Sequence, residues 1–398
     1  MTQIRNNIKI SDEDAKRYDE LIQQANYYDR IQYVYKIRLN SLYGALLNAF
    51  FKFYDMRLGS STTGTGRIII KHQSAMVNKL LNDIYDYKGD ALVAGDTDSS
   101  YFKTYADNKN DAILIADAVG KEVNETFQEF MRETFLLPDG YNNKIQAARE
   151  IVASKAIYIK KKMYLGFIIN NEGVACEKLK MMGIALKRTT IPKEIAIKLT
   201  GFVKKLLSGE DWDETKRDVV AYIEELKKFD TKNVLMLGKP IGVKNMDMYS
   251  ELYALDNKTN LPGHVAASIF YNKVREEYKD NASPKITSGM KIRVFYLIKN
   301  FERFNSIAIP TDIEEIPNWF IQDFKPLVDV NRQIEVLVNK PLRSILDPAN
   351  LVVPSKQLLM EDDLLSIDGI ENKTIKKSKK SKKSKSEPQL LDNDLFNI

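Results

Sequence analysis

Two aspartates, Asp96 and Asp98, lie in the segment Gly95-Asp96-Thr97-Asp98-Ser99 between two short apolar runs. The runs predict two strands joined by a tight acidic turn. Neighbouring carboxylates repel each other unless a cation neutralises them, and their hard oxygen ligands suit Mg²⁺. Because Mg²⁺ takes one or two protein carboxylates plus substrate phosphates in two-metal phosphoryl or nucleotidyl transfer, the turn is a candidate catalytic site. An ordinary aspartate-rich turn is the alternative interpretation.

A second candidate site is the segment Lys36-Ile37-Arg38-Leu39-Asn40-Ser41-Leu42-Tyr43-Gly44. On a helix, Lys36, Asn40 and Tyr43 share one stripe, because they fall within about 60° of one another. The lysine of such a stripe can hold a phosphate while Tyr43 and Gly44 pack against a flat base. The alternative is a solvated helical face that ends in a glycine cap.

A third candidate is the lysine run Lys160-Lys161-Lys162, followed by Met163 and Tyr164. Nine Lys/Arg and two Glu between residues 155 and 193 give this region a net charge of +7, which suits duplex phosphates. The alternating pattern predicts that the three lysines lie within one strand, so that at least one points to each side of the sheet. Glu150, before this run, is a further candidate metal ligand, although alone it is indistinguishable from a surface glutamate.

The elements that must position these residues follow from periodicity and from local start and stop signals. A weak capping box at Ser11 and Asp14 starts a long polar helix that continues to about Tyr43, with Gly44 as its end. Such a helix has little core of its own, which indicates that its partner surface lies elsewhere. The remaining periodicity predicts helices at 61–85, 108–135, 193–208, 214–228 and 265–279, strands at 91–94, 99–104, 150–154, 156–169 and 173–176, and an alternating segment at 286–300.

Composition excludes several classes of protein and of site. One cysteine, Cys176, permits no internal disulfide and no multi-thiolate zinc site, and two distant histidines exclude a histidine-rich metal centre. The apolar stretches are far shorter than the ~20 residues that cross a bilayer, so we expect a cytoplasmic protein without a membrane partner. The whole-chain charge of +6 suggests a polyanionic partner, but residues 371–386 alone contribute +7.

The C-terminal region has two parts of different composition. The Lys/Ser-rich residues 376–386 cannot bury a core and predict a flexible linker. The last ten residues are abruptly apolar, with Leu391, Leu395 and Phe396 as the large side chains. Exposed apolar side chains gain nothing unless a partner pocket buries them, so this segment predicts a binding peptide, with a frayed terminus as the alternative.

Taken together and in this order, Lys36-x-x-x-Asn40-Ser41-Leu42-Tyr43-Gly44, Asp96-Thr97-Asp98-Ser99 and Lys161-Lys162-Met163-Tyr164 resemble the motifs of family B DNA polymerases. The resemblance is greatest to the C-terminal part of the replicative polymerases of T-even-type phages. It continues through Glu177–Gly183 and Leu261–His264, and therefore covers nearly the whole chain apart from the lysine-rich linker.

The resemblance implies a role for each motif residue. Lys36 and Asn40 would contact the incoming deoxynucleoside triphosphate, with Tyr43 and Gly44 beneath the nascent base pair. Asp98 would be the catalytic metal ligand for two Mg²⁺ ions, and Asp96 would support the primer terminus. Contacts to primer–template DNA would come from four residues: Lys161, Lys162, Tyr164 and Lys180.

The resemblance also implies an α+β fold divided into five regions. These are the second half of the fingers helices (1–47), a palm with an antiparallel sheet (48–183), a mainly helical thumb (184–355), a flexible linker (356–386) and a peptide that binds a sliding clamp (387–398). The clamp-binding side chains would be Leu391, Leu395 and Phe396.

The first palm motif of the family, with the other metal-binding aspartate, and the acidic exonuclease motifs have no counterpart here. We therefore expect the C-terminal subunit of a split polymerase in an infected bacterial host. An N-terminal subunit would supply both missing parts and would be needed for activity. The alternative function is a noncatalytic DNA-binding and clamp-tethering module with a vestigial acidic turn.

Overall fold

The computed structural model describes residues 11–85, 91–138, 145–230, 234–357 and 359. In these ranges the helices are α1 (Asp12–Leu46), α2 (Met56–Tyr85), α3 (Lys109–Phe135), α4 (Lys193–Ser208), α5 (Trp212–Lys227), α6 (Val234–Leu237), α7 (Met246–Leu255), α8 (Gly263–Glu277), α9 (Val330–Ile334) and α10 (Lys340–Leu346). The strands are β1 (Leu92–Asp96), β2 (Ser99–Phe102), β3 (Ile151–Lys160), β4 (Met163–Asn171), β5 (Val174–Met182), β6 (Lys239–Gly242), β7 (Lys291–Phe301) and β8 (Phe304–Pro310).

The strands form three separate antiparallel sheets, β1–β2, β3–β4–β5 and β6–β7–β8. Antiparallel sheets with helices segregated beside them confirm the predicted α+β class. None of the described helices is long and apolar enough to cross a membrane. Nearly all of the predicted linker and the whole predicted clamp-binding peptide, with Leu391, Leu395 and Phe396, lie outside the described residues.

Helix α1 starts as predicted and ends later than predicted. The Ser11 hydroxyl accepts a hydrogen bond from the Asp14 backbone N–H at 3.1 Å and donates one to the Asp14 carboxylate at 2.7 Å. The predicted stop at Gly44 is wrong, because the helix continues through Leu46. Glycine ends a helix when it adopts the left-handed conformation, and Gly44 does not do so here. Across its 35 residues α1 buries no side chain.

The β1–β2 hairpin is held against α2 by side chains as well as by a small core. The Asn78 side-chain oxygen accepts hydrogen bonds from the backbone N–H groups of Ala91 at 2.9 Å and Leu92 at 3.2 Å. Two further α2 side chains, Gln73 and Ser74, lie 3.2 Å from the Ser100 hydroxyl. Beneath the hairpin, α2 and α3 bury an apolar cluster of Val77, Leu81, Ala91, Val119, Val123 and Phe127. This packing fixes the acidic turn relative to α2.

The predicted strand at 156–169 is wrong, because the chain forms two strands there. Strand β3 ends at Lys160, β4 starts at Met163, and Lys161 and Lys162 form the turn between them. Lys162 adopts a left-handed backbone conformation, with φ of 62°, and a strand cannot continue through such a residue. The expectation that three lysines share one strand and point to both sides of a sheet is therefore wrong as well.

The β3–β4–β5 sheet and the C-terminal half of the chain share one hydrophobic core. Leu165 of β4, Leu199 of α4 and Phe295 of β7 are among its fully buried side chains. Strand β5 extends to Met182, beyond the predicted end at 176, so the sheet reaches the residues that follow it into α4. The same core thus supports the lysine turn from below.

Candidate functional site

The acidic turn is a two-residue hairpin loop. Asp96 pairs with Ser99 in the register of β1 and β2, leaving Thr97 and Asp98 as the loop residues. The Thr97 hydroxyl donates a hydrogen bond to the Asp96 carboxylate at 3.1 Å, and the Ser99 hydroxyl lies 3.4 Å from the Asp98 carboxylate. Asp98 is exposed and forms no ion pair with any described residue. Its carboxylate oxygens are therefore available to a ligand, as predicted for a metal-binding turn.

The lysine turn approaches the acidic turn. The ammonium nitrogen of Lys162 lies 3.7 Å from a carboxylate oxygen of Asp96. Because about two thirds of the Lys162 side chain is exposed, the pair contributes little to stability, although it shows that the two turns face each other. Gly183, at φ of 65°, follows β5 beside this turn, and a side chain there would collide with the Lys162 carbonyl oxygen. Glycine at this position leaves the turn its room.

An open cleft of about 920 Å³ lies between the two turns, α2 and the end of α1. Four cations, Arg67, Lys71, Lys161 and Lys162, line it against the single carboxylate of Asp96. The other lining residues are Tyr43, Thr62, Thr63, Gly66, Ile70, Ser74, Gly95 and Thr97. A cleft with this excess of positive charge and with hydroxyl groups on its wall suits a phosphate-bearing ligand.

The cleft brings together residues from all three sequence motifs: Tyr43, Asp96, Lys161 and Lys162. Arg67 and Lys71 were not predicted as site residues. Their spacing of four residues within the predicted helix places both on one face, and that is the signal that finds them.

Other predicted site residues lie outside the cleft wall. Lys36, Asn40 and Gly44 are exposed on α1, and their predicted contacts to a nucleotide remain predictions. Asp98 is on the acidic turn but is not one of the cleft-lining residues. The Lys180 ammonium lies 3.9 Å from the Glu150 carboxylate, so Glu150 already has a cationic neighbour.

Tyr164 lies in an aromatic cluster beside the two turns. Its hydroxyl is 3.2 Å from that of Tyr101, and its ring stacks on that of Tyr158 with centroids 5.4 Å apart. Burial raises the pKa of both Tyr158 and Tyr164 well above the ordinary value for tyrosine, and the hydrogen bond with Tyr101 adds to the shift at Tyr164. These phenols are therefore neutral hydrogen-bonding groups at physiological pH.

The carboxylates of the acidic turn fit a divalent metal ion only in part. Asp96 and Asp98 offer hard oxygen ligands, which suit Mg²⁺. However, the described residues contain no group of three or more His, Cys, Asp or Glu side chains that could hold a metal ion. The turn therefore fits a site in which further ligands come from elsewhere.

Comparison with known proteins decides the family. A model of DNA polymerase family B matches residues 3–239, which is more than half of the chain. The chain belongs to DNA polymerase family B. The resemblance of its three ordered motifs to this family is thereby confirmed, and family B DNA polymerases generally use divalent metal ions.

Family B relatives extend well beyond the matched region. The DNA-directed DNA polymerase of Escherichia phage RB69 is 26% identical over 349 residues, which cover 82% of this chain and 38% of the relative. The corresponding protein of Enterobacteria phage T4 is 27% identical over 354 residues, which cover 81% and 38%. The DNA polymerase alpha catalytic subunit of Dictyostelium discoideum is 25% identical over 248 residues, or 61% and 15%. The chain thus spans less than two fifths of the length of each of these relatives.

Proposed function

We propose that this chain is part of a DNA-directed DNA polymerase that adds deoxynucleotides to the 3′-hydroxyl of a primer at the acidic turn. The observation that carries the proposal is the convergence of Tyr43, Asp96 and the Lys161–Lys162 turn on one positively charged cleft. The three motifs are far apart in sequence, and the fold of a family B polymerase gives a reason for them to meet.

The chain's own residues divide the work by their surroundings. Asp98, exposed and without an ion pair among the described residues, is the proposed metal ligand. Asp96 faces Lys162, so its charge is already partly balanced, which suits a supporting role near the primer terminus. When bound, two Mg²⁺ ions supply the Lewis acidity that activates the primer hydroxyl and neutralises the triphosphate. Tyr43 presents its ring to the base side of the cleft.

Primer–template DNA is the proposed ligand of the lysine turn. Lys161 and Lys162 lie at the tip of the β3–β4 hairpin, where both ammonium groups can reach phosphates without entering the core. Tyr164 and Lys180 lie on adjacent strands of the same sheet and complete the proposed DNA-binding surface. Lys36 and Asn40, on the exposed face of α1, are the proposed contacts to the incoming nucleotide.

The proposed domain division matches breaks in the secondary structure. Helix α1, the proposed part of the fingers, ends at Leu46, and the proposed palm ends after β5 at Met182. The proposed thumb then contains α4 to α10 together with the β6–β7–β8 sheet.

We further propose that a second polypeptide, an N-terminal polymerase subunit, completes the enzyme with the other metal-binding aspartate and the exonuclease. Two observations support this proposal: the acidic turn lacks a third metal-ligating side chain among the described residues, and α1 exposes large apolar side chains such as Tyr28, Leu39 and Leu42. Such a surface suits a protein partner.

The need for a second subunit is tested by primer extension. The assay compares this chain alone with the chain co-expressed with the candidate N-terminal subunit. We expect extension only from the assembled pair. Full extension by this chain alone, in a preparation proven free of other polymerases, would contradict the split enzyme.

A noncatalytic DNA-binding and clamp-tethering module is the second candidate function. It is favoured by one observation, namely that Asp98 does not line the cleft whereas Lys161 and Lys162 do. In this case, Asp98→Asn would leave extension by the assembled enzyme intact, while alanine at Lys161 and Lys162 would still weaken DNA binding.

Alanine at both Lys161 and Lys162 tests the DNA-binding surface itself. We expect weaker binding of primer–template DNA and a salt dependence whose slope falls by about one unit for each phosphate that is no longer neutralised. Lys109 and Lys121 are exposed lysines of α3, so their double alanine variant is a control of equal charge. An equal loss of affinity in both variants would reduce the effect to net charge and remove the proposed surface.

The C-terminal residues 387–398 are proposed to bind a sliding clamp through Leu391, Leu395 and Phe396, at the end of the flexible linker 356–386. We expect the isolated peptide to bind the clamp, and its triple alanine variant not to bind. Absence of binding, together with unchanged processivity after deletion of 387–398, would defeat this proposal.

A further inference from the structure

Three tyrosines from three strands form one cluster between the two turns. Tyr101 belongs to β2, Tyr158 to β3 and Tyr164 to β4. Their ring centroids are 5.6 Å apart for Tyr101 and Tyr158, 5.3 Å for Tyr101 and Tyr164, and 5.4 Å for Tyr158 and Tyr164. Each ring contacts both others at distances typical of favourable aromatic pairs.

The cluster joins two sheets that have no strand pairing with each other. Strands β1 and β2 form one sheet, and β3, β4 and β5 form another. The backbone hydrogen bonds of each hairpin therefore fix the turn within its own sheet but not the distance between the turns. Side chains must set that distance.

Two direct side-chain contacts link the turns, and they differ in strength. The Lys162–Asp96 pair is 3.7 Å long and largely exposed, so water and salt screen it. The hydroxyl bond between Tyr101 and Tyr164, at 3.2 Å, is part-buried and accompanied by ring packing. Of the two, the tyrosine contact is the better able to hold the turns in register.

The positions of these tyrosines along their strands make the contact effective. Tyr101 follows Asp98 by three residues, and Tyr164 follows Lys162 by two. At a rise of about 3.3 Å per residue, each tyrosine lies within about 10 Å of its turn along a rigid strand. Tyr158 is the cross-strand partner of Tyr164 and stacks on its ring, so it limits where that ring can lie.

We propose that Tyr101 and Tyr158 are positioning residues for nucleotide addition, acting through Tyr164 to hold the lysine turn at a fixed distance from the Asp96–Asp98 turn. The inference rests on the proposed polymerase function and deepens it, since neither tyrosine belongs to the three sequence motifs. Both residues act through Tyr164 and neither is proposed to touch a substrate.

The first test removes only the hydroxyl of Tyr101. In the assembled enzyme, Tyr101→Phe should lower the single-turnover rate of nucleotide addition at saturating DNA by about two- to tenfold, the value of one net hydrogen bond. The DNA dissociation constant should change less than the rate constant. Tyr222→Phe is the matched control, because Tyr222 is a buried tyrosine of α5 whose hydroxyl lacks a hydrogen-bond partner. An unchanged rate in Tyr101→Phe would overturn the inference.

A double-mutant cycle separates positioning from general loss of structure. Tyr164→Phe removes the other half of the same hydroxyl bond, so Tyr101→Phe combined with Tyr164→Phe should be no slower than the slower single variant. Rate losses that multiply in the double variant would show that the hydroxyls act independently and would overturn the inference. Tyr158→Leu should also slow addition, and Tyr158→Phe, which keeps the stacked ring, should restore the rate. Equal losses in Leu and Phe variants would contradict the role of the ring.

Failure of this inference and failure of the proposed function give different results in the same assays. If Asp98→Asn keeps full extension, the catalytic turn itself is wrong, whatever the tyrosine variants do. If Asp98→Asn is inactive while Tyr101→Phe equals wild type, only the positioning role is wrong.

Discussion

Helices α1 and α8 show how unevenly this chain distributes its core. Helix α1 has 35 residues and buries none of them, whereas the 15-residue α8 buries seven. The buried Asn272 of α8 exchanges two hydrogen bonds of 2.9 Å with the backbone of Ile286, so even the polar group inside that core is satisfied. In contrast, Leu39 of α1 is 70% exposed.

The difference separates the candidate site into two parts. The acidic turn and the lysine turn lie on hairpins supported by hydrophobic cores. Lys36 and Asn40 lie on a helix that gains no burial from this chain. Because most helical stability in proteins comes from tertiary packing, the nucleotide-contacting part of the site depends on a partner surface more than the metal-binding part does.

The largest effect on stability that separates the two regions is expected from truncation of the core. Phe295 of β7 is fully buried and packs on Phe320 with ring centroids 5.3 Å apart. We expect Phe295→Ala to lower the free energy of unfolding by about 3–5 kcal/mol. The exposed Leu39→Ala of α1 should change it by less than about 0.5 kcal/mol. Chemical denaturation of both variants provides the measurement.

A large loss of stability in Leu39→Ala would break the comparison, because it would show that α1 is packed in the free chain. Addition of the proposed second subunit should make α1 variants destabilising while leaving the Phe295→Ala effect unchanged.

Gly183→Ala tests the support of the lysine turn. Alanine would be strained at φ of 65° and would also collide with the carbonyl oxygen of Lys162. We expect a loss of about 1–3 kcal/mol in unfolding free energy together with weaker DNA binding. Gly173→Ala is the matched control, since Gly173 also has positive φ but open space around it. Equal DNA affinity in the two variants would show that the collision does not displace the turn.

The smallest effect concerns acid stability beside α8. Burial raises the pKa of Asp280, but hydrogen bonds from Ser283, Trp319 and Ala282 lower it more, to about 2 from 3.8. A lowered folded-state pKa adds stability above the unfolded-state value and loses it as pH falls. Between about pH 4 and 2, unfolding free energy should therefore fall by about 1 kcal/mol from this group. Asp280→Asn should remove that component from denaturation curves measured across the interval, and an unchanged pH dependence would contradict it.

Sequence patterns predict the amphipathic, well-capped elements of this chain best. Helices α3 and α4 have the predicted bounds within one residue, because Asn108 caps the first and Gly209, in the left-handed conformation, ends the second. The start of α2 was missed by five residues, although Asp55 accepts a hydrogen bond from the Arg57 N–H there. The short elements α7 and β6 were not predicted, because ten residues or fewer carry little periodicity.

The candidate site was predicted in its motifs but not in its geometry. The acidic turn was predicted correctly because apolar strands flank a two-aspartate segment. The lysine turn was not, because Lys162 adopts positive φ without being Gly, Asn or Asp, which usually signal such turns. Contacts between separate elements, such as Lys162 with Asp96 or Tyr101 with Tyr164, depend on tertiary packing, and sequence periodicity does not report them.

Single-turnover addition of one nucleotide by the assembled enzyme, with Asp98→Asn beside wild type, tests the central claim most directly. Asp107→Asn is the control, because Asp107 is an exposed aspartate outside the proposed site. We predict that Asp98→Asn slows addition by at least about a hundredfold, as removal of one active-site charge stabiliser does, while Asp107→Asn and the DNA affinity of both remain near wild type. Addition by Asp98→Asn at the wild-type rate would contradict the assignment of the acidic turn as the catalytic site.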